Sequence, residues 1–130
     1  MIFKWEALLD LAKTLFEDAE TASGQRREAL LRTATSRAYY AAFGASVAWM
    51  RENFPDHTLP SHGEIHQAVS DFFLFHSQAD YRAVGELLRD MRWARNRADY
   101  RAQIPDSKRL AQRNLFDANR VLNALSGLET

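Results

Sequence analysis

The chain has 130 residues, 46% of them apolar, 12% aromatic and 26% charged, which excludes a disordered chain and fits one globular domain spanning residues 1–130. It has no cysteine, so disulfides, thiolate metal sites and cysteine nucleophiles are excluded, and a reducing, cytoplasmic address is expected. Net charge is zero, but from Arg82 to Arg120 ten Lys and Arg stand against five Asp and Glu, a local +5. That half is where an anionic partner would bind.

The opening stretch MIFKWEALLDLAKTLFEDAE interleaves acids with apolar residues, so it reads as neither a signal peptide nor a membrane span. Over 3–20, Trp5, Leu8, Leu9, Ala12, Leu15 and Phe16 share one helical face. Ser23-Gly24 breaks this first helix. The second, over 26–53, carries Leu30, Leu31, Ala34, Ala38, Ala41, Ala42, Ala45, Val47 and Trp49. So many small side chains let neighbours approach closely, which predicts a central element.

Pro55 and Pro60 punctuate a loop. Ser61 with Glu64 has capping-box spacing and predicts the start of helix three, which runs to about His76 through Ile65, Val69, Phe72 and Phe73. Ser77 with Asp80 repeats the box for helix four, whose face holds Val84, Leu87, Leu88, Met91 and Ala98. After Pro105, Asp106 or Ser107 caps helix five, with Leu110, Leu115, Ala118, Leu122 and Leu125 as its stripe. No stretch alternates with period two. The expected fold is all-α, an up-and-down antiparallel bundle of about five helices.

Arg37 sits in the apolar run SRAYYAAF, where a guanidinium needs a partner if it is buried. Helix four offers one, because Arg92, Arg95, Asn96 and Asp99 in MRWARNRADY follow three- and four-residue spacing beside Leu88 and Met91. The expectation is a buried polar cluster of Arg37, Asp99 and Arg92, with Asp99 accepting from Arg37 directly or through Arg95.

SRAYYAAF on a long second helix, SHGEIHQAV opening the third and LRDMRWARNRADY late in the fourth resemble the HEPN domain in its small prokaryotic form, over residues 26–125. The resemblance implies a homodimeric helical bundle acting on RNA in a toxin–antitoxin or defence system, as a metal-independent endoribonuclease, or beside a nucleotidyltransferase or antitoxin partner. It also implies a cleft holding Arg95, Asn96 and, in the position where the family motif has His, Tyr100. Tyrosine, with an ordinary pKa of about 10, is a poor base near neutral pH, so the family pattern without its His favours weak RNA binding over cleavage. Two other roles fit the same fold: a non-catalytic antitoxin or adaptor, and a substrate modified on a tyrosine such as Tyr100.

His62 and His66 stand four apart, with His57 upstream, but no third ligand accompanies them, so no metal site is assigned. The sequence leaves open that one of these histidines reaches the Arg95 cleft from helix three. The five glycines are scattered, so no phosphate-binding loop exists and no cofactor is expected. Tyr39, Tyr40, Phe43, Trp49, Phe72, Phe73 and Phe75 lie at helical spacing and are assigned to the core or a dimer surface rather than to base stacking.

Overall fold

The computed structural model describes residues 1–130 as five helices and no strand: α1 Trp5–Ala19, α2 Gly24–Asn53, α3 Glu64–Leu74, α4 Ala79–Tyr100 and α5 Ser107–Gly127. No helix is long and apolar enough to cross a membrane. Helix α2 is the central element, packing on α1, α4 and α5. Its fully buried Ala34, Ala38, Ala41 and Ala42 leave room for these neighbours, with Ala12, Ala111 and Ala118 facing them from α1 and α5. Beside Gly44 the indole of Trp5 lies so close that a Cβ would stand 2.4 Å from the ring. At Gly85 a Cβ would meet the backbone of Leu74 at 2.6 Å, so the missing side chain sets how closely α3 approaches α4.

Side-chain pairs give the helix directions. Trp49 lies beside Tyr81 and Tyr40 beside Arg95, while Ser36 reaches Asp99, so α2 and α4 are antiparallel. The alternation expected of sequence neighbours holds between α1 and α2, α3 and α4, and α4 and α5. Helices α2 and α3 differ. His66 lies on Phe43 and Phe73 on Trp49, so the two run in the same general direction, and residues 54–63 carry the chain back along the bundle. A connection of that length easily spans the return at up to about 3.3–3.6 Å per residue.

The expected caps are realised at one site. Asp106 accepts from the backbone N–H of Arg109 at 3.0 Å. The two capping boxes do not form. Helix α3 starts at Glu64 itself after a turn in which His62 takes a φ of 61°, and Ser61 bonds nothing. Helix α4 starts at Ala79 without a side-chain cap. There the turn is held by Arg82, which donates to the carbonyls of His76 and Ser77 at 3.2 and 2.6 Å, and by His76 Nδ1, which accepts from Gln78 N–H.

The core runs through all five helices, with Tyr39, Tyr81, Phe73, Met50 and Met91 as its largest buried members. Of the aromatics assigned to core or dimer surface, Tyr39 and Phe73 are buried, Tyr40, Phe43, Trp49 and Phe72 are half-buried, and Phe75 is exposed. One polar side chain is built into the core: Asn114 of α5 donates to the carbonyls of Thr35 on α2 and Met91 on α4, at 3.1 and 3.3 Å.

Candidate functional site

Arg95 is the most buried charged residue of α4, only 7% exposed. Apolar neighbours at Met91, Ala94 and Ala98 fix that face inward, and the guanidinium emerges against α2. There its carbon lies 5.5 Å from the ring centroid of Tyr39 and 5.2 Å from that of Tyr40, within cation–π range. Its only carboxylate contact is Asp99, one turn on, at 3.5 Å. Its Nε is buried without a hydrogen-bond partner, and so is the Nε of Arg92. Buried donors of this kind normally find a partner in protein, water or an ion. The two side chains stand one turn apart on α4 and bring two guanidinium groups to the junction with α2 and α3.

The expected cluster of Arg37, Asp99 and Arg92 is corrected here. Arg37 is exposed and forms no ion pair or side-chain hydrogen bond. Within SRAYYAAF the inward faces belong to Ser36, Ala38 and Tyr39, and at about 100° per residue position 37 falls on the solvent side. Ser36 takes the role given to Arg37: its hydroxyl donates to Asp99 at 3.4 Å and joins α2 to α4. The Asp99 side chain remains 30% exposed, so the pair with Arg95 is wet and the large penalty of a dry orphaned charge does not apply.

The Arg95, Asn96 and Tyr100 set is only partly brought together. Asn96 is exposed, and Tyr100, the last residue of α4, is 77% exposed. Five positions on from Arg95, its side chain leaves the helix about 140° around the axis. Within one chain it does not share the Arg95 pocket.

A histidine does reach the site, from helix α3. His66 stacks on Phe43 at 4.4 Å, lies 5.6 Å from the Tyr39 ring and 6.0 Å from the Tyr40 ring, and so borders the same two tyrosines as Arg95. The Tyr39 hydroxyl is 2.6 Å from its Nδ1. Partial burial, reinforced by the charges of Arg92 and Arg95, holds the imidazole below its ordinary pKa and so favours its neutral form. Burial likewise pushes the Tyr39 phenol well up, although the two arginines oppose this. The signal for His66 in the sequence was its place in SHGEIHQAV, but only the return of the chain through 54–63 brings it alongside Arg95. His62 does not share this position. It precedes α3, so the helical spacing of four with His66 is not realised, and no group of three His, Asp or Glu is gathered anywhere to hold a metal.

A groove of about 850 Å³ lies on the far side of α4 against α5. Trp93 and Phe116 stand exposed there, and Asp117 is a buried carboxylate met by Arg113 at 3.4 Å and Arg120 at 3.5 Å. Its buried carboxylate is answered by two arginines, whereas at the α2–α3–α4 junction Arg92 and Arg95 face two tyrosines and a histidine with Asp99 as the one carboxylate in contact, so the chemistry points to that junction. Comparison with protein-family models, with curated proteins and with solved structures finds no match to this chain.

Proposed function

We propose that the protein is a HEPN-like homodimer of a prokaryotic toxin–antitoxin or defence system that acts on RNA, with Arg92 and Arg95 holding a backbone phosphate. The observation that carries this reading is the gathering of Arg92 and Arg95 beside His66 and two tyrosines at the junction of α2, α3 and α4. A phosphate oxygen is the acceptor that suits the two guanidinium groups, since charge-assisted bonds from arginine to phosphate are among the strongest available. The local +5 of the segment Arg82–Arg120 adds the long-range attraction that brings a polyanion to this side.

Within this reading, binding is favoured over cleavage. Metal-independent cleavage needs a group that takes the ribose 2′-hydroxyl proton, and Tyr100 is both a weak base and turned away from Arg95. The protein then works as a non-catalytic RNA-binding or adaptor subunit beside an antitoxin, nucleotidyltransferase or other effector. The dimer belongs to the HEPN-like reading, and the exposed Trp93 and Phe116, side by side on α4 and α5, offer one apolar surface for it.

The test uses the intact protein with a labelled single-stranded RNA. Wild type binds with an affinity that falls steeply with salt. Arg92→Gln weakens binding about tenfold and lowers the salt slope by about one, as expected for one lost phosphate contact. Total cellular RNA stays uncut by wild type, and sedimentation at micromolar concentration gives a dimer. Robust cleavage abolished by Arg95→Ala, with the variant still folded, would overturn the binding reading. No binding at low salt would overturn the RNA assignment itself, and a strict monomer would remove the shared cleft.

A further inference from the structure

The hydrogen bond between Tyr39 and His66 has a direction that the surroundings decide. Tyr39 is 1% exposed, and His66 Nδ1, at 2.6 Å, is the sole partner of its hydroxyl. The charged groups around it, Arg92 and Arg95, bring only donors. Were the ring hydrogen on Nδ1 and pointed at the phenol oxygen, the phenol's own O–H would lie buried with nothing to accept it, an arrangement that folded proteins avoid. The phenol therefore donates, and Nδ1 accepts.

A neutral imidazole carries one ring hydrogen, so with Nδ1 accepting, that hydrogen is on Nε2. Nε2 has no hydrogen-bond partner in the chain and is not among the sealed unpartnered atoms, so it opens to solvent. The Phe43 ring, 26° from parallel at 4.4 Å, holds the imidazole plane, and Tyr40 closes a second side at 73°. The groups facing the imidazole are thus the Tyr39 hydroxyl and the positive charges of Arg92 and Arg95; no carboxylate acts on it.

We propose that Tyr39 is a positioning residue that fixes His66 as the Nε2–H tautomer, so that His66, Arg92 and Arg95 form a three-donor cradle for a phosphodiester oxyanion, with Asp99 paired to Arg95 at its edge. This deepens the phosphate-binding reading given above and rests on it for the nature of the ligand. Its consequence is specific. A histidine serving as base must present a bare nitrogen to the 2′-hydroxyl, and here the solvent-facing nitrogen already carries hydrogen. His66 holds the phosphate and does not take the proton, which is the chemical reason for binding without cleavage.

Histidine-labelled protein, observed by long-range nitrogen–proton NMR at pH 7, tests the tautomer directly, with the His66 signals assigned by their loss in His66→Gln. The expected pattern is an acceptor-type Nδ1 and a protonated Nε2, shifting to a mixture of tautomers in Tyr39→Phe with helix content unchanged. Added inorganic phosphate should move the Nε2 signal in wild type. In RNA titration, His66→Gln, whose amide keeps a donor, should stay within about threefold of wild type, and His66→Ala should lose about tenfold or more, the value of one hydrogen bond to a charged group. An Nδ1–H tautomer or an imidazolium in wild type overturns the inference, as does an Nε2 signal that phosphate leaves unmoved. The expected tautomer with a phosphate response but no RNA affinity upholds the cradle and sinks only the RNA reading.

Discussion

Arg32 Nε lies 2.7 Å from Glu28 Oε2, one turn back on α2, and this pair seats the guanidinium against the end of α4. From there Arg32 donates to the carbonyls of Ala98 and Ala102, each at 3.3 Å, and of Arg101. A helix ends with carbonyls that lack intrahelical partners, and here a neighbouring helix supplies the donors. Arg32→Ala should therefore destabilise the fold by about 1–3 kcal/mol, whereas Arg37→Ala, at the exposed position five residues on, should stay within about 0.5 kcal/mol. Urea titration of the two variants checks the contrast, and equal losses would contradict it.

Glu28 adds a pH dependence. Partial burial pushes its carboxyl up, but hydrogen bonds from Ser107 at 2.5 Å and from Arg32, with the charges of Arg32 and Arg27, outweigh that, and its pKa ends below the ordinary 4.5. The folded state thus holds this proton less tightly than the unfolded state. Its stabilising contribution is complete above about 4.5 and is lost as pH falls through the lower folded value. Glu28→Gln should flatten the acid side of the stability profile in that window and leave its shape above pH 6 unchanged. A profile with the wild-type acid slope would show that other carboxylates govern it.

Asn114 is buried to 1% and ties three helices together through two donated hydrogen bonds. Asn114→Ala should cost roughly 1–3 kcal/mol for the lost bonds and the space left behind. Asn114→Asp should be worse than alanine at pH 7, because a carboxylate would face two carbonyl oxygens with no donor to offer. Acidification should narrow the difference as the carboxyl regains a donor. Thermal unfolding of both variants at two pH values measures this, and an aspartate variant more stable than the alanine one at pH 7 would refute the account.

The five helices and the central place of α2 could be read from residue order, because helical periodicity and the run of small residues are local properties of a chain. The Asp106 cap was legible for the same reason: its acceptor and the backbone donor are three residues apart. The burial of Arg95 beside Asp99 also followed from spacing along one helix. The choice between neighbouring arginines did not. Arg37 and Arg32 differ by the rotation of α2 against α4 and by where α4 ends, neither of which is encoded within α2. Nor could the sequence bring His66 to Arg95, since that depends on residues 54–63 turning the chain back so that α3 runs with α2. Local sequence determined which segments are helices and which faces turn inward; tertiary packing decided which charged side chains meet, because those distances are set by how helices far apart in the chain are rotated and aligned.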